Sequence, residues 1–428
     1  MITSILFGTL VLLIALGVPV AFAMGLSSIA AVVAQGLPLF AIAQRLFAGI
    51  DSFPLMAVPF FLLAAELMTG GALAEVLLRF AAQFVGHVRG GLGHTNVVTL
   101  TFFSGISGSA IADAAGPGSI LIRQMRNSGY PVEYAAALTA ATAIVGPIIP
   151  PSIIMIIYAL QDQRVSVIAL FIAGILPGLL ISGGLLAYNH WVSVRRNYRA
   201  EGGFPSFREA VVNTWRALPA LFLPVLIVGG IHSGAFTPTE ASVVAVAYAL
   251  FAGMVVYRTL TPRMLPGILL RASLLTASVL LIVATSATFA WVLTFAQVPQ
   301  ALAQWIIGLD LSPLAFLLAV NVLLLIFGIF IEPLPGVMIL VPILAPMAAA
   351  LGIDPVHFAI VVIVNLTIGM ITPPVGGLIF VTALVARIPV SAVVRELWPM
   401  LGVQLVILAL LTLVPEISLW LPRLMLGR

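Results

Sequence analysis

The sequence predicts an all-α polytopic membrane protein, and three observations carry that prediction. Hydrophobic residues make up 62% of the 428, whereas Asp, Glu, Lys and Arg together supply only 7%. A soluble domain carries roughly a quarter charged residues, so this chain has too few to cover a water-facing surface. Uncharged runs of the length needed to cross a bilayer, about 20 residues, recur from end to end, and mean hydropathy is +1.23. These runs are continuous rather than alternating, which removes the β-barrel alternative.

Met1–Gln44 carries no charge and could cross twice, with a break near Gly17, Val18 and Pro19. It has no basic n-region and no small-residue cleavage site, so it reads as a retained first helix rather than a removed signal peptide. Further runs lie at Gly90–Ala112, Tyr134–Gln161, Val165–Val194, Ala217–Thr239 and Ala272–Leu309. Leu311–Ile331, Pro333–Ile353, Pro355–Ala386 and Leu397–Pro415 complete the set. About eleven to fourteen membrane-embedded helices or half-helices follow from run length, many of them too short or too interrupted by Gly and Pro to be simple spans.

All 18 basic residues are Arg. The densest loop holds Arg195, Arg196, Arg199, Arg208 and Arg216, and a second holds Arg258, Arg263 and Arg271. Ala217–His232 and Ala241–Tyr257 read as an up-and-back pair, which puts both loops on one side; Arg bias makes that side cytoplasmic. The net charge of +4 is dispersed between apolar spans, so nucleic acid is not an expected partner. With no Cys, disulfides, thiolate metal sites and Cys nucleophiles are excluded. The five histidines show no ligand spacing, and most are expected at the membrane interface, like Trp191, Trp215, Trp398 and Trp420.

An internal repeat emerges from the glycines and prolines. Gly105, Gly129, Gly146, Pro150 and Pro151 reappear as Gly328, Gly352, Gly369, Pro373 and Pro374, every pair offset by 223 residues (328 − 105, and so on). Each copy has two irregular places. One pair is Ser104–Ser109 with Gly146–Pro151; the other is Gly328–Pro333 with Gly369–Pro374. Gly permits non-helical backbone and Pro breaks the helical hydrogen-bond ladder. Freed carbonyls inside a membrane persist only where protein, water or an ion satisfies them. Matching breaks in two halves are the sequence pointer to the midplane site of a secondary transporter, whereas simple kinks would not explain paired breaks at fixed spacing.

These motifs resemble the large membrane subunit, DctM type, of tripartite ATP-independent periplasmic (TRAP) transporters. The matching stretches are Phe103–Pro151 (FSGISGSAIADAAG, SGYP, GPIIPPS), Gly234–Tyr248 (GAFTPTEASVVAVAY) and Gly328–Phe380 (GIFIEPLPG, GIDPVHF, NLTIGMITPPVG). The resemblance implies an elevator-type fold of the ion-transporter superfamily with two inverted repeats, each contributing a re-entrant hairpin and a broken helix. It divides the chain into scaffold (1–94), first transport repeat (95–164), scaffold with Arg-rich loops (165–311), second transport repeat (312–390) and a C-terminal helix (391–428). It further implies sodium-driven import of an organic acid across the bacterial inner membrane. The partners would be a periplasmic binding protein (DctP type) and a smaller membrane subunit (DctQ type) expected as a separate chain, with lipid around them. Arg123 departs from the family, which often has Pro there, and is expected to anchor the cytoplasmic end beside Arg126; Glu332 stands where Asp is common.

Carried over from the family, a first sodium site falls on Ser107, Ala110, Gly146, Ile149 and Pro151. The same offset places a second on Phe330, Pro333, Gly369, Thr372 and Pro374. Main-chain carbonyls would supply most ligands, which suits a hard cation without burying extra negative charge. Half-helix N-termini after the breaks suit a carboxylate, and Ser109, Ser152 and Glu332 are the candidates to complete substrate recognition. An ionisable group in a long uncharged stretch is costly and usually functional; for Glu332 the roles of substrate contact, sodium contact and proton carrier stay open. The serines have a second reading, as local backbone bonds. Asp113 reads as support for the first Gly/Ser loop. Asn365 and Thr367 either steady the unwound helix, face substrate or bond between helices. Glu240 reads as part of a capping box with Thr237, and Glu66 as a helix-end or buried contact.

Two rivals are discriminable. Gly105–Gly108 matches GxSG, as in intramembrane serine proteases, but Ser107 has no evident base among His190 and His357. A stand-alone organic-anion transporter would need no binding protein. No P-loop is present, so this chain carries no Walker-type ATPase. It is expected to be a transporter, not an enzyme.

Overall fold

The computed structural model describes residues 2–69, 73–198, 206–308 and 311–427; Arg199 of the densest arginine loop lies outside the described residues. Every regular element among them is helical. Seven helices are long and apolar enough to cross a bilayer, and an eighth span is bent by 63° between Phe40–Ile50 and Phe53–Thr69.

Helices α1 (Ile2–Ala15) and α2 (Val20–Ala34) form the predicted pair, turning at Gly17, whose φ of +80° favours a residue without Cβ. The bent span is α3 (Phe40–Ile50) and α4 (Ala57–Thr69), followed by α5 (Leu73–Val85). The first repeat comprises α6 (Gly91–Ser107), α7 (Ala110–Ala115), α8 (Pro117–Asn127), α9 (Val132–Ala143) and α10 (Ile153–Gln161). Between the repeats lie α11 (Val167–Arg195), α12 (Phe207–His232), α13 (Pro238–Phe251), α14 (Leu265–Phe295) and α15 (Val298–Gly308). The second repeat is α16 (Pro313–Phe330), α17 (Pro333–Ala350), α18 (Pro355–Gly369) and α19 (Gly377–Ala386), and α20 (Val390–Leu413) and α21 (Glu416–Leu426) follow.

The sequence register reappears in the helix boundaries. The hairpin tips fall at 107 and 330, the return helices begin at 110 and 333 and end at 127 and 350, and the broken helices begin at 132 and 355. Each pair differs by 223. The copies differ in one respect: the first return limb is split at Gly116 into α7 and α8, whereas α17 runs through Pro342 and Pro346 unbroken.

The repeats are inverted, and α11 shows it. Near its C-terminus, Asn189 accepts from Tyr134 Oη at 2.9 Å and donates to Gly90 O at 3.2 Å, where the first repeat opens. At its N-terminus, Ser166 and Ala169 share a cavity with Asp354 and Pro355, where the broken helix of the second repeat begins, as α9 does near Tyr134 in the first. A 29-residue helix is about 43 Å long at 1.5 Å per residue, so the two hairpins enter from opposite ends. Tyr257 Oη bonds Arg216 O at 2.8 Å and Tyr248 Oη bonds Pro219 O at 2.6 Å. Those bonds make α12 and α13 the expected up-and-back pair.

Other expectations resolve locally. Thr237 and Glu240 form the capping box, with Thr237 N to Glu240 Oε2 at 2.8 Å and Glu240 N to Thr237 Oγ1 at 3.3 Å. Asn365 donates to Asn321 Oδ1 at 2.7 Å, and Asn321 donates to Thr412 Oγ1 at 2.8 Å, so this polar chain ties α18 to α16 and α20. Thr367 donates within its own helix to Val364 O. The four Trp expected at the interface are exposed, whereas His94 and His357 are buried within the protein, His357 meeting Ser418 Oγ at 2.8 Å.

Candidate functional site

A cavity of about 240 Å³ lies where both hairpin tips and both helix breaks meet two other helices. Four pairs of lining residues are repeat equivalents: Ser109 with Glu332, Ala110 with Pro333, Ile111 with Leu334, and Pro147 with Met370. The cavity therefore sits on the pseudo-twofold axis. Its opposite wall comes from α4, through Leu62, Ala65 and Glu66, and from α14, through Leu275, Ser278 and Ile282. The first turns of α10 and α17 also reach it, through Ile153, Ile154 and Leu334. Their N–H ends carry partial positive charge.

The first repeat is closely interlocked. A Cβ on Gly108 (φ +60°) would stand 2.5 Å from Pro151 O, so that carbonyl points straight at the hairpin tip. A Cβ on Gly146 would stand 2.7 Å from Asp113 Oδ2 and 3.1–3.2 Å from the Ser109–Ala110 peptide. Ser107 Oγ donates to Asp113 Oδ1 and accepts from Ser109 N at 3.2 Å. Ser104, nearby, gives its hydroxyl to Leu100 O instead. Asp113 Oδ2 is wholly buried and has no hydrogen-bond partner among the described residues. The carbonyls of Gly146, Ile149 and Pro151 accept no hydrogen bond from a described residue. Buried oxygens normally find partners; here several that lack one cluster between tip and break. A partly dehydrated cation fits that set. Asp113 thus supports the first tip through Ser107, as expected, and keeps a second oxygen without a partner among the described residues.

The second repeat closes differently. Gly369 meets Gly328 backbone to backbone: a Cβ there would lie 2.6–2.7 Å from Gly328 Cα, C and O. Gly369 O accepts from Thr372 N at 3.0 Å, leaving one lone pair, and Thr372 Oγ1 donates to Ile368 O at 2.9 Å. Phe330 turns its ring outward, 62% exposed, and Pro374 is exposed. Asp113 has Gly336 as its equivalent, packed on Leu366, so no carboxylate backs this copy. Both Pro-Pro bonds, 150–151 and 373–374, are cis.

Of the sequence candidates, Ser107, Ser109, Ala110, Glu332 and Pro333 line the cavity. Gly146, Ile149 and Pro151 lie behind the first tip, and Gly369, Thr372 and Pro374 in the second break. Ser152 lies off the cavity lining. Its hydroxyl donates to Pro147 O at 2.5 Å and accepts from Met155 N at 3.3 Å. In the second repeat the equivalent backbone groups bond directly, Leu378 N to Met370 O at 3.0 Å. Ser152 therefore bridges a gap that its counterpart closes with main chain. Ser152→Ala should cost about 1–3 kcal/mol by stranding two buried groups, lowering the unfolding midpoint while leaving the KM for uptake unchanged. A raised KM with unchanged stability would make it a substrate contact instead.

Glu66, read as a helix-end or buried contact, pairs with Arg271 Nε at 2.9 Å near the end of α4. Arg271 thus lies within α14, one turn before the residues that line the cavity, rather than in a free loop. Among the described residues no group of three or more His, Asp and Glu could hold a metal ion.

The family model for the tripartite ATP-independent periplasmic transporter DctM component matches residues 7–417. The chain belongs to this family. The sialic acid TRAP transporter large permease protein SiaM of Vibrio cholerae is 42% identical over 99% of this chain and 98% of its own. The C4-dicarboxylate TRAP large permease protein DctM of Pseudomonas aeruginosa is 44% identical over 89% of each. The isethionate TRAP permease protein DctMQ of Oleidesulfovibrio alaskensis is 39% identical over 97% of this chain, which spans 66% of that protein. In fold, the TRAP permease resembles the Alcanivorax borkumensis YdaH transporter, with TM-score 0.62, 16% identity and 88% of each chain covered. This TRAP permease is a multi-pass membrane transport component, not an enzyme. The protease reading falls, since the Ser107 hydroxyl is spent on Asp113 and no histidine lines the cavity.

Proposed function

We propose that this chain is the large permease of a sodium-coupled TRAP importer for an organic acid. A separate small membrane subunit and a periplasmic binding protein would complete it. The observation that supports this reading best is the symmetric cavity, where two interrupted helices and two hairpin tips face α4 and α14. Sodium is the co-transported substrate. In the first repeat, Gly146, Ile149 and Pro151 carbonyls, Ser107 and the free oxygen of Asp113 would hold one ion. In the second, Gly369 and Thr372 with neighbouring carbonyls of Phe330, Pro333 and Pro374 would hold another. The acid would lie against Ser109 and Glu332, its carboxylate or sulfonate turned to the N-terminal ends of α10 and α17. Glu332 then faces substrate hydroxyls, and its charge opposes an anion unless sodium is bound first. Moving the repeats as one body past α4 and α14, elevator fashion, would carry the cavity across. Each net charge moved inward gains roughly 2.3 kcal/mol per 100 mV.

Reconstitution in proteoliposomes with both partners tests this. Sialic acid, a C4-dicarboxylate and isethionate are the labelled probes suggested by relatives. Uptake of one should require an inward sodium gradient and fall to background when potassium replaces sodium. Equal uptake in potassium would refute sodium coupling, and full-rate uptake without binding protein would refute the tripartite assignment.

A further inference from the structure

We propose that a three-arginine cavity at the cytoplasmic end of the repeats binds a phosphate-bearing anion. The cavity, about 360 Å³, lies between α8, which contributes Ser119, Ile122, Arg123 and Arg126, and the end of α19, which contributes Val385 and Arg387. Among the described residues no carboxylate lines it. All three arginines are exposed, and none makes an ion pair among the described residues. Ser119 spends its hydroxyl on Gly116 O at 2.8 Å, which leaves the guanidinium groups to define the chemistry. Planar guanidinium forks match phosphate oxygens two at a time, which a single point charge cannot do.

The internal symmetry supplies a control within the same molecule. The equivalent of Arg387 is Arg164, 223 residues earlier. Arg164 grips Asp162 with two bonds of 2.7 Å and donates to Ala345 O at 2.8 Å. The equivalents of Asp162 and Ala345 are Val385 and Ile122, and both line the arginine cavity. The architecture is thus repeated, but the counter-charge is deleted. Two cations, Arg123 and Arg126, are added where the other repeat has Pro346 and Ala349. Three guanidinium groups sharing one cavity without an anion repel one another. At the first end the counter-charge is built in; at the second it comes from outside.

The position selects the source. Arg126 stands in the last turn of α8, close in sequence to Tyr130, which packs on Tyr198 at a centroid distance of 4.5 Å. Arg196 pairs with Glu396 of α20 at 2.9 Å, so the end of α8 belongs to the arginine-rich, cytoplasmic side. Basic pockets between membrane helices on that side take phospholipid headgroups. A free phosphate offers the same oxygens.

The test uses the purified full chain in detergent, titrated with phosphatidylglycerol, phosphatidylcholine or inorganic phosphate and read by native mass spectrometry. The wild-type chain should bind phosphatidylglycerol, inorganic phosphate or both more tightly than phosphatidylcholine. Lipid alone identifies a headgroup site, and phosphate alone a soluble anion. The Arg123→Gln, Arg126→Gln double variant should weaken that binding about tenfold, equivalent to about 1.4 kcal/mol. Val385→Asp, which restores the missing carboxylate, should weaken it similarly while raising the unfolding midpoint in lipid-free detergent. Arg263→Gln, elsewhere on the same side, should change neither. Equal affinity in wild type and both cavity variants, or no binding of either anion by wild type, overturns the proposal.

Discussion

Gly369→Ala should abolish uptake while Gly183→Ala leaves it intact. The two substitutions add the same methyl group to a membrane-embedded helix. At Gly183, in α11, a Cβ meets nothing within 4 Å. At Gly369 it meets Gly328 Cα, C and O at 2.6–2.7 Å. Those atoms are backbone, so no side chain can swing aside. Overpacking of this kind costs about 1–3 kcal/mol even when neighbours relax. Here relaxation means lifting the tip of α16 from the break after α18, which disperses the oxygens proposed to hold the second ion. The expected result is background uptake at every sodium concentration, with expression and membrane insertion preserved, measured in proteoliposomes against wild type and Gly183→Ala. Gly146→Ala provides a graded comparison. Its nearest neighbour is the far end of a side chain, Asp113 Oδ2 at 2.7 Å, which can move. That variant should retain uptake but need more sodium. Identical behaviour of Gly369→Ala and Gly183→Ala would remove the second tip-and-break contact from the mechanism.

The sequence made the repeat legible because its markers act locally. A Gly or Pro interrupts a helix wherever it stands, so matched interruptions at one spacing carried through to helix ends at 107 and 330, 127 and 350, and 132 and 355. The punctuation had limits for the same reason. Pro342 and Pro346 leave α17 continuous, while the first return limb breaks at Gly116. Whether a break opens depends on what satisfies the released groups. Long-range partners carried no signal. Glu66 and Arg271 stand 205 residues apart, and Asn321 bonds both Asn365 and Thr412. Ser152 makes the local backbone bonds that its sequence context allows, but that it bridges two stretches of main chain was legible only beside the direct Leu378–Met370 bond of its twin.

The comparison of the two repeats also singles out Asp113. The ligands carried over from the family are all carbonyls or hydroxyls; Asp113 is not among them, and its equivalent is Gly336. If the first ion is held by neutral oxygens alone, removing the charge without changing the shape should matter little. If Asp113 Oδ2 contributes, Asp113→Asn should lower apparent sodium affinity by about tenfold to a hundredfold, the equivalent of about 1.5–3 kcal/mol for an interaction with a charged group. Uptake at saturating sodium should recover toward wild type, since the loss lies in ion binding rather than in translocation. Asn can still accept from Ser107 Oγ, so the tip stays in place. Ser107→Ala removes the donor to Oδ1 together with one neutral ligand and should shift sodium dependence less than Asp113→Asn does, while Asp113→Ala should cost both stability and affinity. The sodium concentration giving half-maximal uptake, measured for each variant beside its unfolding midpoint, decides between the two cases. An Asp113→Asn variant with wild-type sodium dependence would return Asp113 to a purely structural role and leave the first ion bound by backbone.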